Sequence, residues 1–209
     1  VGSLMTFTVK VKDRVLAKKD GYFIVTCTWI IFTIFGCLPY LFGGTIPSVV
    51  DAIFETMSGF SSTGATILND IEKLPHGLLF WRSMTQWIGG LGIIMFTIAV
   101  LPIFGVSGLQ VFAAEASGPT HDKVHPRIGI TAKWIWGIYT GLTFILVILL
   151  MLGGMNWFDS ICHAFATTGT GGFSTKQASV AYYHSPYIEY VISLFMFVSG
   201  INFTLLLFF

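Results

Sequence analysis

Two stretches of the chain combine small hydroxyl residues with glycine in a pattern that suits the coordination of a cation. Each is a short helix-like run that ends in a Thr-Gly turn, Thr63-Gly64 within residues 51–66 and Thr170-Gly171 within residues 159–174. A cation gives up its water in a narrow pore only if oxygens replace it, and backbone carbonyls can do so where glycine permits unusual torsions. The two stretches therefore predict a pair of ion-coordinating loops.

Length arithmetic gives each stretch the shape of a hairpin that enters and leaves a membrane on one side. As a helix, residues 51–61 cover about 16 Å, half of a hydrocarbon core of about 30 Å. The extended residues 62–66 reach back about 16 to 18 Å. Irregular backbone at this depth is tolerated only beside protein or water. We expect Asp51 and Asp159 to cap the N-termini of the two short helices at the outer surface.

The candidate ion-binding positions lie in the two loops. We match Gly64 with Gly171 rather than with Gly172, because this keeps the Thr-Gly core of the two stretches aligned. The match comes at the expense of one inserted residue. Glu55 and His163 occupy equivalent places on the two short helices, and for both we expect a structural hydrogen bond to the loop rather than ion binding. The complete set of candidate filter residues is Ser62, Thr63, Gly64, Ala65, Thr66, Gly169, Thr170, Gly171, Gly172 and Phe173.

Composition indicates the environment in which these loops stand. The 209 residues are 54% hydrophobic and only 10% charged, against about 25% charged in a typical soluble domain. A net charge of +1 argues against nucleic acid as a partner, because phosphate binding needs a concentrated basic surface. Four apolar runs are predicted to cross the membrane, at residues 22–42, 78–104, 130–152 and 187–209.

The charged residues predict the orientation of the chain. Eight of the 11 Lys and Arg residues share one side, which should be cytoplasmic. The other side holds Lys73, Arg82 and Lys176 together with six of the ten acidic residues, which predicts an acidic outer vestibule that attracts cations. We expect Arg82 to extend from the end of its span to the interface. Gly89, Gly90 and Gly92 are expected to permit close helix packing.

These features define the predicted fold class and its divisions. The chain is predicted to be an all-α, polytopic membrane protein with two parallel repeats, each made of a span, a re-entrant pore helix, a filter loop and a second span. The predicted divisions are a cytoplasmic N-terminal segment at residues 1–21, a first pore repeat at 22–104, a cytoplasmic connection at 105–129 and a second, truncated repeat at 130–209.

At the loops the chain resembles the Trk/Ktr/HKT superfamily of potassium transporters. The matching residues are the Ser-Thr-Gly-Ala-Thr run at 62–66, the Thr-Gly-Gly-Phe-Ser-Thr run at 170–175, the run at 80–92 that contains Trp87-Ile-Gly-Gly-Leu-Gly92, and Asp20-Gly-Tyr22 before the first span. The resemblance covers nearly the whole chain. It is carried by two loops in matching contexts rather than by one Thr-Gly dipeptide.

The resemblance implies function and partners. In the superfamily four repeats surround one pore, so the chain would hold the first two repeats and half of the filter. It implies potassium uptake through a channel-like pore in the inner, cytoplasmic membrane, with potassium as the transported substrate and with no cofactor. The implied partners are the lipid bilayer, a second copy of the full-length subunit and a cytosolic nucleotide-binding regulatory subunit.

Two other function classes are weighed against this one. The five His residues show no HExxH or comparable spacing, and the Gly-rich run at 169–172 has no Walker lysine, so we do not expect an enzyme. An alternating-access, cation-coupled secondary transporter also places half-helices at the midplane. The direction of the repeats distinguishes such a carrier from a channel. Carriers of that kind mostly use inverted repeats, whereas the two repeats of this chain are both predicted to begin on the cytoplasmic side.

Overall fold

The computed structural model describes residues 18–92 and 128–200. Within these ranges the secondary structure is helical without β-strands, which confirms the predicted all-α fold class. A 3-10 helix, Ser179–Tyr183, precedes the last α-helix. In chain order the α-helices are α1 (Lys18–Gly36), α2 (Leu38–Phe42), α3 (Val49–Phe60), α4 (His76–Gly90), α5 (Ile128–Leu152), α6 (Trp157–Thr168) and α7 (Pro186–Gly200).

The first predicted span is divided into two helices. The prediction of one continuous helix over residues 22–42 is wrong, because α1 ends at Gly36 and α2 begins after Cys37. Pro39 explains the break, since it has no N–H to donate and its ring collides with the carbonyl four residues earlier in a regular helix. The third predicted span agrees with the structure, because α5 includes all of residues 130–152.

The second predicted span is not one helix either. α4 ends at Gly90, and Gly92 has a φ of +75°, which a right-handed helix cannot contain. The remainder of that run lies outside the described residues, as do residues 1–17, the connection around 105–127 and residues 201–209. The predicted divisions of the chain at 21, 104 and 129 therefore stay predictions.

Length and hydropathy single out one helix of the described ranges as able to cross a membrane. This is the Lys133–Leu152 part of α5, with 20 residues, or about 30 Å at ~1.5 Å per residue. The apolar helical stretches Thr26–Phe42 and Pro186–Gly200 are shorter.

The distribution of polar groups is inverted with respect to a water-soluble protein. Phe42 is 84% exposed and Phe23 and Phe197 are each 71% exposed, whereas Glu55 and Arg82 are 0% and 2% exposed. Large apolar side chains lie outside where hydrocarbon would meet them, and ionisable side chains lie inside where they can pair. This pattern is expected of a helical membrane protein.

The structure contains a repeat of a short helix, a loop and a longer helix. Corresponding residues lie 108 positions apart in the short helices and loops, and the longer helices begin 110 positions apart. The two short helices α3 and α6 have 12 residues each and begin at Val49 and Trp157. Both are followed by an irregular loop and then by a 15-residue helix, α4 after α3 and α7 after α6. The short helices are therefore the half-length elements that the sequence predicted, each beginning two residues earlier than predicted.

The N-caps of the short helices are not the predicted aspartates. Ser48 and Asn156 occupy the cap positions, and their side-chain oxygens accept hydrogen bonds from the N–H groups of Asp51 and Asp159, at 3.4 and 2.8 Å. The aspartates stand in the first turn, where their charge still complements the positive end of the helix dipole. The prediction was wrong by three residues because Ser and Asn cap as well as Asp does.

Glycines on α4 allow it to pack directly against the ends of both short helices. A Cβ atom on Gly89 would overlap the carbonyl group of Phe60, the last residue of α3. A Cβ atom on Gly90 would overlap the backbone of Gly169, which follows α6. The expected close packing at Gly89 and Gly90 is thus confirmed, and α4 is the element between the two hairpins.

We predict that Gly89→Ala destabilises the full-length protein, by about 1–3 kcal/mol, because the added methyl group overpacks against backbone that cannot move aside. Gly77→Ala is the matched control, since Gly77 lies on the same helix with open space around its Cβ position. Thermal unfolding of the detergent-solubilised protein measures both. Equal melting temperatures for the two variants would contradict the packing described for α4.

Candidate functional site

The first loop leaves α3 in a tight turn. Its amides bond back to the helix end, Ser61 N–H to the Met57 carbonyl at 2.8 Å and Thr63 N–H to the Ser58 carbonyl at 3.0 Å. Ser62 has a φ of +55° and Gly64 a φ of +76°. A left-handed torsion at a non-glycine residue is uncommon and costs free energy. The turn therefore stores strain at Ser62 as it redirects the chain.

The second loop has the same backbone conformation. Gly169 N–H bonds to the Phe165 carbonyl at 3.0 Å and Gly171 N–H to the Ala166 carbonyl at 2.9 Å. The left-handed torsions fall at Thr170, with φ +54°, and at Gly172, with φ +87°. Each of these features lies 108 residues after its counterpart in the first loop.

This correspondence corrects the glycine pairing inferred from sequence. Gly172, not Gly171, matches Gly64 in torsion and in distance from the helix end. Gly171 corresponds to Thr63, whose N–H makes the same bond to the helix. No inserted residue is needed, because the two loops match when residues are counted from the ends of the short helices and not when the Thr-Gly dipeptides are aligned.

Each short helix holds its own loop through one polar side chain, at the places expected from sequence. Glu55 accepts hydrogen bonds from the hydroxyl of Thr66 at 2.9 Å and from the N–H of Ile67 at 3.1 Å. His163 Nδ1 lies 2.9 Å from the Asp159 carbonyl, and its Nε2 lies 3.0 Å from the Ser174 hydroxyl. Because a carbonyl only accepts, Nδ1 carries the proton and Nε2 of the neutral ring accepts from Ser174.

The two hydroxyl groups continue the same design. The Thr66 oxygen accepts the N–H of Leu68 at 3.1 Å, and the Ser174 oxygen accepts the N–H of Lys176 at 2.9 Å. In each repeat a side chain of the short helix, a hydroxyl group and an amide two residues further on form one chain of hydrogen bonds. The expectation that Glu55 and His163 make structural bonds to the loops is confirmed.

The structure brings the two loops into contact with each other. A Cβ atom built on Gly64 would overlap the carbonyl oxygen of Gly171. The candidate residues differ in exposure, since Thr63, Ala65, Thr66, Thr170 and Gly172 are exposed, Ser62, Gly64 and Gly171 are half-buried, and Gly169 and Phe173 are buried. Gly169 packs on the Gln86 carbonyl, and the buried Phe173 ring lies against the Arg82 guanidinium.

Arg82 does not extend to the interface as the sequence predicted. Its guanidinium is buried, with Nε donating to Glu55 Oε1 at 2.7 Å and one Nη donating to the Ser174 carbonyl at 3.0 Å. Its Cζ atom also lies 3.6 Å from the centre of the Phe173 ring. The expectation was wrong because a buried charge is stable where a partner charge and acceptors surround it, and Glu55 supplies that partner. Arg82 thereby connects the first hairpin with the second loop.

Gln86, one turn further along α4, also reaches the second loop. Its side chain is fully buried, and its Oε1 accepts the N–H of Phe173 at 2.9 Å. Sequence reasoning missed Gln86, although an amide in the middle of an apolar helix is itself a signal, since such groups usually face the protein interior.

The outer ends of the two hairpins are also joined. The N–H of Ile71 donates to the Gln177 side chain at 3.2 Å, and Lys176 lies 4.0 Å from Glu72. Arg82 pairs with Glu55, and Lys73 pairs with Asp70. The three cations on the predicted outer side therefore each pair with an acid, so less free negative charge faces this side than the acidic residues alone suggest.

Taken together, the described ranges show helices with apolar side chains outside, paired charges inside and two short helices followed by glycine loops, which is typical of a polytopic membrane protein. A family model described as TrkH, cation transport protein, matches residues 1–209. The chain belongs to this family of membrane cation transporters.

Individual relatives agree with the family match. The chain is 42% identical over 207 residues to the Trk system potassium uptake protein TrkH of Escherichia coli (strain K12), covering 98% of this chain and 43% of that protein. It is 40% identical over 206 residues to the TrkH protein of Halomonas elongata, again covering 98% of this chain and 43% of that protein.

A solved structure matches as well. The crystal structure of the potassium transporter TrkH from Vibrio parahaemolyticus superimposes with a TM-score of 0.77 at 37% identity, covering 98% of this chain and 41% of that one. The chain thus spans about two fifths of the length of these relatives.

We predict that Arg82→Ile destabilises the full-length protein by about 3–5 kcal/mol, because it leaves the buried Glu55 carboxylate without a charge partner. The double variant Glu55→His with Arg82→Ile should recover part of the loss. The second repeat has His163 at the place of Glu55 and, counted from the start of the longer helix, Ile192 at the place of Arg82. Thermal unfolding in detergent measures the effect. Lys73→Met, which removes an exposed cation, is the control and should change little.

A wild-type melting temperature for Arg82→Ile would show that the buried ion pair does not hold the hairpin. A double variant that is less stable than Arg82→Ile would contradict the equivalence of the two repeats at this position.

Proposed function

We propose that the full-length protein to which this chain belongs takes up potassium across the cell membrane through a channel-like pore, and that the two loops are two segments of its selectivity filter. The relatives named above are potassium uptake proteins by name, which supports the choice of ion. The transported potassium is the substrate, and no covalent chemistry is required.

One observation carries the proposal, namely that the two loops have the same backbone conformation and meet at Gly64 and Gly171. A selectivity filter needs carbonyl oxygens from several chain segments at fixed spacing around one axis. Two segments with matched torsions and direct contact satisfy this requirement for adjacent positions. Ordinary surface loops would have no reason to match in torsion and to meet.

The short helices add a favourable field. The loops follow the C-terminal ends of α3 and α6, where the helix dipole places partial negative charge. A cation at the loops would therefore be attracted by both helix ends as well as by the carbonyls. The first turns of both helices hold aspartates, at the opposite end, which complements the dipoles.

The remaining parts of the proposed assembly follow from the family resemblance. Four repeats would surround the pore, so this chain supplies half of the filter. The proposed setting is the inner membrane, with a second copy of the full-length subunit and a cytosolic nucleotide-binding regulatory subunit as partners.

We predict that Gly64→Ser and Gly172→Ser in the full-length protein weaken the discrimination of rubidium over sodium by about tenfold, because a side chain at positive φ costs roughly 1–3 kcal/mol and displaces the carbonyls. Gly171→Ser should act similarly through collision with Gln86. Rubidium uptake with sodium competition, in cells that lack their own potassium uptake, measures the effect.

Gly154→Ser is the matched control for backbone strain. Gly154 has a φ of +94° and open space around its Cβ position, but it lies between α5 and α6, away from the loops. Wild-type uptake and selectivity in both Gly64→Ser and Gly172→Ser would remove the filter assignment. Loss of selectivity in Gly154→Ser as well would show that strain anywhere in the fold has this effect.

A further inference from the structure

The side chain of Gln86 stands behind the point where the two loops meet. A Cβ atom on Gly171 would overlap the Gln86 amide group, and one on Gly64 would lie 3.7 Å from Gln86 Nε2. The amide therefore touches the inner side of the second loop directly and lies next to the first. Both are loops of the proposed filter, but the residue comes from α4 and not from a loop.

The hydrogen bonds of Gln86 are directed at the second loop. Oε1 accepts the N–H of Phe173, immediately after Gly172 with its left-handed torsion. Nε2 is buried and has no hydrogen-bond partner among the described residues. An unpaired buried donor costs free energy, which an apolar side chain of similar size would avoid. Packing alone therefore does not explain an amide at this position.

Comparison of the two repeats shows that this feature is local. Gln86 is the eleventh residue of α4, and the eleventh residue of α7 is Met196. Met fills a similar volume but cannot accept a hydrogen bond from a backbone amide with comparable strength. The amide is therefore present where α4 contacts the first and second loops, and it is not a feature that both repeats share.

We infer that Gln86 is a positioning residue for ion selection, which fixes the conformation of the second loop through Phe173 and the spacing of the two loops through its contact with Gly171. The inference rests on the proposed function of the loops as a filter. Discrimination between cations of different size depends on the spacing and number of carbonyl oxygens. Gln86 can therefore influence selectivity through the spacing of the two loops, without contact with the ion.

Three variants of the full-length protein test the role of the amide. Gln86→Met removes the acceptor but keeps the volume, and Gln86→Asn keeps an amide that is too short to reach Phe173 in the same way. Gln86→Glu keeps an oxygen acceptor in place and adds no charge, because burial favours the protonated, neutral carboxyl group over the carboxylate. Ser83→Ala is the control, because it removes a buried polar group from the same helix whose hydroxyl bonds to the Leu79 carbonyl and not to a loop.

The measurement is rubidium uptake in cells that lack their own potassium uptake, normalised to the amount of protein in the membrane. It yields the KM for rubidium, the maximal rate and the inhibition constant of sodium. We expect Gln86→Met and Gln86→Asn to lower the ratio of sodium inhibition constant to rubidium KM about fivefold or more, as for loss of one buried hydrogen bond that favours a conformation. Gln86→Glu and Ser83→Ala should stay within about twofold of wild type.

Three results would overturn the inference. An unchanged ratio in Gln86→Met and Gln86→Asn would show that the amide does not position the loop for selection. A lower maximal rate with unchanged KM and ratio would indicate a structural role alone. A ratio in Gln86→Glu as low as in Gln86→Met would exclude the bond to Phe173 as the cause.

The same assay separates this inference from the proposed function. If Gly64→Ser and Gly172→Ser change selectivity while the Gln86 variants do not, the filter assignment stands and the role of Gln86 falls. If none of them changes selectivity, the filter assignment falls together with it.

Discussion

The buried guanidinium of Arg82 is the constraint on which the rest of the described structure depends. A charge removed from water must have its donors satisfied, and here the carboxylate of Glu55 and the carbonyl of Ser174 do so from two different hairpins. These partners leave little choice in where α4 can lie. The glycines at 89 and 90 are then required, because only glycine allows the helix to approach the hairpin ends at that distance.

The two repeats secure their loops by different chemistry within one backbone plan. In the first, Glu55 needs Arg82, and its loop is tied to a second helix by a charge pair. In the second, His163 is neutral and its ring bonds to Ser174, while Asp159 accepts the hydroxyls of Thr175 at 2.6 Å and Tyr183 at 2.9 Å. The second loop is thus held both by its own hairpin and by Arg82 and Gln86 of α4. The first loop is connected to α4 through the Glu55–Arg82 pair.

The backbone plan was predictable from sequence because it follows from length and from glycine. Two half-length helices, the glycine turns after them and the loop contacts of Glu55 and His163 were all inferred without coordinates. The choice between Gly171 and Gly172 was wrong, because the Thr-Gly dipeptides of the two loops were aligned with each other. The loops correspond by their distance from the end of the preceding helix, which pairs Gly64 with Gly172. The cap positions failed because Ser, Asn and Asp compete for them with similar free energies.

Side-chain partners across the repeat boundary were the part that sequence could not supply. Arg82 was taken for an interfacial residue because hydropathy shows where a charge lies along a span and not what faces it. Gln86 was overlooked for the same reason, since its partner Phe173 is 87 residues away along the chain. Each of these contacts depends on how α4 rotates and packs, which is a property of three helices together.

The two loops are supported by different side chains, which has a consequence for the architecture of the proposed pore. α4 presents Arg82 and Gln86 to the second loop, whereas the corresponding positions of α7 carry Ile192 and Met196. In a four-part filter made from two copies of the described pair of repeats, α7 would have to contact the third loop as α4 contacts the second. The described α7 has neither an arginine nor a glutamine with which to make these contacts. The joint after the second loop must therefore use other contacts, so the proposed four-part filter is built from segments that share a backbone conformation but not a common means of support.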